Sequence, residues 1–203
     1  RTFEAFPRSG LRIGVVGLGV GTLATYGVRG DYMRIYEINP DVVRTARDYF
    51  TYLDDSEAEV EVVLGDARLS MEREAPQEFD ILVLDAFSSD AIPVHLLTTE
   101  AFEIYRRHLK PDGVIAIHFT SRHLDLEPVL QQAAEHCGME AAYIFSDVAP
   151  LSTYSADWML LTTNQEFLNS DLITEAAVFE AQNDRQVGIW TDDYSNLFQV
   201  LKF

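Results

Sequence analysis

A single cysteine, Cys137, stands in a chain of 203 residues, which excludes an internal disulfide and any metal site built on several thiolates. It falls near the end of an expected helix, where it reads as a small, buried or half-buried side chain. Long apolar runs are absent as well. No stretch approaches the ~20 residues of a membrane span and no basic leader precedes an apolar segment, so a cytoplasmic location without direct membrane insertion is expected. Basic residues are few. Fifteen Lys and Arg face 33 Asp and Glu, a formal charge of −18 that repels nucleic acid and anionic membranes and suits a cationic partner or substrate. No serine nucleophile elbow, phosphate loop, internal repeat or low-complexity tract is visible.

Apolar residues are plentiful, at 47%, enough for one core, and residues 1–203 are read as a single domain with 1–11 as a lead-in. The stretch around which the rest is organised is Arg12-Ile-Gly-Val-Val-Gly17-Leu-Gly19-Val-Gly21-Thr22, followed by Tyr32 to Glu37. It predicts a buried strand, a glycine turn, a helix starting in Thr22–Val28, and a second strand ending on Glu37. Glycines at 17, 19 and 21 let backbone approach a ligand, and a carboxylate at the tip of the second strand can meet the two hydroxyls of a ribose. A dinucleotide fingerprint reads G-x-G-x-x-G/A. Here the third glycine comes one residue early and Thr22 holds the sixth position, which favours a nucleoside ligand without a pyrophosphate.

Asn39-Pro40 predicts a helix cap and first turn, with Val42, Val43, Ala46, Phe50 and Leu53 as its apolar stripe. Strands are expected at 60–64, 79–84 and 114–119, and helices at 69–74, 99–109 and 126–136. Residues 141–145 and 157–163 read as an antiparallel hairpin, and 171–182 as a last helix. Pro111-Asp-Gly113 reads as a turn. The architecture is therefore a three-layer, Rossmann-like α/β domain with a mostly parallel seven-stranded sheet and a C-terminal antiparallel hairpin. Ligands in such sheets bind beyond the carboxyl ends of the strands, where Gly17–Gly21, Glu37, Asp66 and Asp85 all fall.

Asp66, in Gly65-Asp-Ala67, can accept from an exocyclic amine while the Ala67 amide serves a ring nitrogen; a turn aspartate is the alternative. Asp85 and Asp90, in Asp85-Ala-Phe-Ser-Ser-Asp-Ala-Ile-Pro93, are the acid/base candidates, set against capping of the loop. Asp192-Asp193-Tyr194 offers charge and an aromatic wall for a cationic amine, or a solvated turn. His95, His118 and His123 lack the spacing of a metal site and read as rim residues, so no metal is expected. Phe102 and Tyr105 read as core.

Gly17-Leu-Gly-Val-Gly21, Glu37-Ile-Asn-Pro40, Gly65-Asp-Ala67, the 85–93 segment and Leu109-Lys-Pro-Asp-Gly113 together resemble the spermidine synthase family of aminopropyltransferases, within the class I S-adenosylmethionine methyltransferase fold. The match runs in order from Arg12 to Phe119. The resemblance implies decarboxylated S-adenosylmethionine as donor and a diamine or polyamine as acceptor. It implies Glu37, with Ile38 beside it, on the ribose, Asp66 and Ala67 on the adenine, Asp85 as catalytic carboxylate, and Asp90 on the amine, to which the residue reading above adds Tyr194. Two departures stand out. Val20 occupies the neighbourhood of a customary loop aspartate, and the family's N-terminal β segment is missing from these residues. They keep two alternatives in view, a small-molecule methyltransferase using S-adenosylmethionine and a non-catalytic polyamine- or nucleoside-binding domain. The resemblance also leaves room for a homodimer and for a longer, membrane-linked chain.

Overall fold

The structure, a computed structural model, describes Phe6 and residues 10–87, 91–146, 155–178 and 185–202. The central strand β1 (Arg12–Val16) pairs in parallel with β2 (Tyr32–Glu37) on one side and β4 (Phe79–Leu84) on the other. Beyond β2 lies β3 (Glu59–Leu64), and beyond β4 lies β5 (Leu109–His118), both parallel. The hairpin β6 (Glu140–Ser146) and β7 (Ala156–Thr162) then completes the seven strands, with β7 antiparallel to β5. A two-residue strand β8 (Ala177–Val178) extends the sheet, giving the order β3-β2-β1-β4-β5-β7-β6-β8.

Alternation of side chains along these strands divides the core into layers. Ile13, Val15, Met33, Ile35, Ile81 and Val83 point to one face and pack with Ala46 of α1 (Pro40–Tyr49). Val16, Tyr36, Leu82, Leu84, Ile115 and Ile117 point to the other. That second face is covered by α2 (Ala67–Arg73), α3 (Thr99–His108) and α4 (Glu127–Cys137), which supply Met71, Phe102, Tyr105 and Leu130. Strands buried on both faces must be apolar at nearly every position, which is why the sheet is legible as short continuous apolar runs. Phe102 and Tyr105 are core, their rings edge to face at 5.6 Å. Cys137 is buried and free, and burial pushes its thiol pKa up.

Several boundaries differ from expectation for identifiable reasons. The link from β1 to β2 holds only a 3-10 turn, Thr22–Tyr26, in place of a helix reaching Val28. Glycines bracket it at 21 and 27, its cap supplies no side-chain hydrogen bond, and five residues are too few for an α-helix to nucleate. Pro111-Asp-Gly113 lies inside β5, where the pairing with β4 shifts register between Phe79 and Ile81, so the turn signal marks an irregularity within the strand. Of the helix expected at 171–182, the single turn α6 (Asp171–Thr174) forms, preceded by another single turn, α5 (Gln165–Leu168); Ala177 and Val178 pair with β6 instead of extending it, and 179–182 lie outside the described residues. Gly138 takes a left-handed conformation and ends α4, as a glycine after a helix should.

His108, at the end of α3, is wholly buried; its Nε2–H donates to the Met71 carbonyl at 2.7 Å, while Nδ1 has no partner among the described residues. Burial lowers its pKa, so the folded state holds it neutral. The unfolded chain takes up that proton near pH 6.5, so this contribution is intact above 6.5 and is lost as pH falls through that value. Urea unfolding between pH 8 and pH 5 is expected to show stability falling below about pH 6.5 by up to ~1.4 kcal/mol per pH unit, and His108→Gln is expected to flatten that slope.

Candidate functional site

The carboxyl ends of the parallel strands form one rim, and backbone hydrogen bonds keep them level. The first amide beyond β1, Gly17 N–H, donates to Tyr36 O, that beyond β3, Gly65 N–H, to Glu37 O, and that beyond β4, Asp85 N–H, to Val16 O. Across the rim the chemistry-bearing residues therefore run in the order Asp66, Glu37, Gly17, Asp85, His118 and Trp158.

Glu37 is nearly buried, 9% exposed, and both its oxygens are held by backbone. Oε2 accepts from Leu18 N–H in the glycine loop at 3.0 Å, and Oε1 from Asn39 N–H at the cap of α1 at 2.8 Å. An ionised carboxylate has about four acceptor positions, so two such bonds fix its direction and leave room for two hydroxyl donors. Ile38 next to it is 66% exposed. Asp66 is the cap of α2: Oδ1 accepts from Leu69 N–H at 2.9 Å, and Oδ2 lies 3.2 Å from His95 Nε2. Both the turn role and the open rim position are thus present in one side chain. Ala67 begins the helix, where an amide lacks an intrahelical acceptor.

The three glycines have different reasons. Gly17, at φ +97°, faces the Asp85–Ala86 backbone, and a Cβ there would stand 2.4 Å from Asp85 O. Its smallness lets two strand ends close on each other. Gly21, at φ +91°, would meet Leu53 at 3.2 Å, whereas Gly19, at φ +54°, opens onto free space. Of the three, Gly19 is the one at which a Cβ would meet no neighbour.

Asp85 is partly exposed, and its Oδ1 lies 2.7 Å from His118 Nδ1. His118 Nε2 lies 3.0 Å from Thr120 Oγ1, which also accepts Asp157 N–H at 2.6 Å. The imidazole stacks on Trp158, centroids 4.7 Å apart and planes at 12°, and the Phe87 ring meets it edge-on at 4.8 Å. Reading His118 as a rim histidine missed this contact. The signal for it was the adjacency of the fourth and fifth strands: with Leu84 opposite Ile117, the next residues, Asp85 and His118, come together. Asp90 lies outside the described residues.

The C-terminal tail docks at the same side. Arg68 of α2 forks onto Asp192, Nη1 to Oδ1 at 2.6 Å, and also donates to the His95 carbonyl and Thr98 Oγ1. Asp192 is thereby held below the usual carboxylate range, first by Arg68, and its charge is spent within the fold. Tyr194 closes a short turn with Thr191, is 48% exposed and has its ring against Gly188; among the described residues no hydrogen bond joins it to Asp85.

A mostly parallel sheet of this strand order, helices on its faces and an antiparallel hairpin at one side make a Rossmann-like fold of the methyltransferase type, the fold shared with solved methyltransferases. The sequence profile of the spermine/spermidine synthase domain matches residues 22–174, and the chain belongs to that family. A polyamine aminopropyltransferase of Vibrio vulnificus is 33% identical over 109 residues, 51% of this chain and 36% of that protein. An N-terminal histidine N-methyltransferase of Emericella nidulans is 33% identical over 124 residues, 58% of this chain and 22% of that protein. These matches span well under half of either relative's length. The crystal structure of a probable spermidine synthase from Corynebacterium glutamicum superposes with a TM-score of 0.60 at 24% identity, covering 81% of this chain and 62% of that one.

The glycine loop supplies a direct test of these geometries. Gly17→Ala is expected to cost about 2–4 kcal/mol, from left-handed backbone plus overlap with Asp85, whereas Gly19→Ala should cost only about 1 kcal/mol. Urea midpoints of the two variants against the parent check the contrast.

Proposed function

We propose that this chain transfers an aminopropyl group from decarboxylated S-adenosylmethionine to a small diamine or polyamine. The observation that carries the reading is the row of three carboxylates, Asp66, Glu37 and Asp85, on adjacent strand ends around the glycine loop, in a chain of the spermine/spermidine synthase domain family. Glu37 takes the ribose hydroxyls on its remaining lone pairs. Asp66 accepts from the adenine amine with the Ala67 amide on a ring nitrogen, and the exposed Ile38 gives the base an apolar surface to cover. No metal enters the reaction.

At Asp85 the chemistry is a displacement at carbon. The amine nitrogen of the acceptor attacks the CH₂ bonded to the sulfonium sulfur, the C–S bond breaks, and its electron pair neutralises sulfur in the departing methylthioadenosine. The acceptor arrives as an ammonium and gives one proton to Asp85 as its nitrogen attacks, and the secondary ammonium that forms keeps its remaining protons. An alkyl ammonium ionises near pH ~10, so freeing the amine at pH 7 costs roughly 4 kcal/mol, and a carboxylate beside the attacking nitrogen offsets part of that cost. Fixed positions for both substrates contribute further. A net charge of −18 favours the approach of a polycation.

A second reading is favoured by one observation, the 33% identity with the Emericella nidulans histidine N-methyltransferase. In it the intact, carboxylated cofactor gives its methyl group at the same rim. Val20 in the glycine loop is compatible with this alternative. The test is calorimetric titration with S-adenosylmethionine, its decarboxylated form and methylthioadenosine, then addition of putrescine. The proposal expects tighter binding of the decarboxylated donor and release of methylthioadenosine on adding the diamine. Preference for the carboxylated form, with S-adenosylhomocysteine as product, replaces it with methyl transfer. Asp85→Asn is expected to lower kcat by about 10²–10⁴ while donor affinity stays within about threefold.

A further inference from the structure

Both nitrogens of His118 are engaged: an ionised Asp85 can only accept, which calls for a proton on Nδ1, and Thr120 completes the pattern as donor to Nε2. Thr120 Oγ1 already accepts Asp157 N–H at 2.6 Å, so its own hydroxyl proton is free to be donated to His118 Nε2, 3.0 Å away. With Nε2 accepting, the ring proton sits on Nδ1, which lies 2.7 Å from the Asp85 carboxylate, an acceptor when ionised. A continuous chain results: Asp157 amide to Thr120 hydroxyl to His118 ring to Asp85. The ring cannot rotate out of this chain without losing its stack on Trp158 and the edge contact with Phe87. Among the described residues Asp85 Oδ2 accepts no hydrogen bond, so the chain occupies one carboxylate oxygen and leaves the other available.

We infer that His118 is the positioning residue of Asp85: held as the Nδ1–H tautomer by Thr120 and Trp158, it binds Oδ1 and directs Oδ2 toward the reacting nitrogen as proton acceptor. This deepens the proposed function and rests on it for the identity of the proton's donor. His118 does not itself take that proton, because Nε2 faces Thr120 and Nδ1 faces Asp85. A lone carboxylate on a strand end can rotate about its terminal torsion and present either oxygen to either side. The imidazole removes that freedom, and the antiparallel strand β7 braces the imidazole.

Two measurements test the inference. Long-range ¹H–¹⁵N correlation spectra of the histidine rings at pH 8 read the tautomer without any substrate. The expected pattern for His118 is a proton on Nδ1 and none on Nε2, shifting toward a mixture in Thr120→Val; a proton on Nε2 with Nδ1 bare overturns the inference. Kinetics then separate donation from packing. His118→Phe keeps a ring against Trp158 and removes the donor, and is expected to lower kcat roughly 10- to 100-fold with KM for both substrates within about threefold. His118→Asn retains an N–H near the position of Nδ1 and is expected to recover kcat to within about fivefold of the parent. Equal kcat in His118→Phe and the parent overturns the positioning role. Product analysis is run alongside. Methyl transfer instead of methylthioadenosine release defeats the proposed function, and the His118 series is then read on that reaction; with no product at all the proposed function fails and the spectra alone decide for or against the inference.

Discussion

Gly17 and Asp85 come so close that a single methyl group between them would lie 2.4 Å from a carbonyl oxygen. The site depends on that closeness. It lets β1 and β4 end level, so that the glycine loop, which carries the amide holding Glu37, and the loop that begins with Asp85 leave the sheet side by side. Were either strand one residue longer, the alternation of side chains would place Asp85 on the opposite face, where packed apolar residues and helices leave no room for an ionised group. The spacing between Glu37 and Asp85 is thus set by strand length.

The electrostatic design of the rim follows from what holds its carboxylates. Glu37 and Asp66 are oriented by backbone amides and Asp85 by a ring nitrogen, while lysine and arginine pair elsewhere, Arg68 with Asp192, Arg34 with Glu61 and Glu74, and Lys110 with Asp80. Backbone dipoles fix direction without cancelling the negative charge. A rim built this way keeps its attraction for a cation, whereas the same acids paired with arginines would be electrically quiet. Asp192 shows the contrast: it sits near the rim, yet Arg68 has claimed both its oxygens.

Much of the fold was legible because burial on both faces forces apolar runs at strands, and because Asn39-Pro40 and Gly138 mark helix ends by mechanisms that need no tertiary context. The places of Glu37, Asp66 and Asp85 were legible for a related reason, since each lies at or within two residues of the end of a strand. What escaped were features set by neighbours distant in sequence. His118 and Trp158 lie forty residues apart and meet only because β7 inserts beside β5, and local propensity in 171–182 suggested a helix where the edge of β6 offered hydrogen bonds to Ala177 and Val178. Gly17 was identified for its approach to a ligand, and the neighbour that the fold puts against it is the Asp85 carbonyl. A ligand and a strand end make the same demand on a glycine.

The place of β7 has a consequence for how the molecule comes into being. Strand β6 is synthesised before β7, yet β7 takes the position beside β5, so the last two long strands dock as a hairpin and β5 presents an open edge until they do. A nascent chain that has emerged only through β5 holds the glycine loop, Glu37, Asp66 and Asp85, the parts that the proposed function assigns to the donor and the proton. It does not yet hold the tryptophan that pins the histidine behind Asp85. On the proposed function, donor recognition and alignment of Asp85 are therefore separate events in the maturation of this domain, and the second waits for the sheet to close.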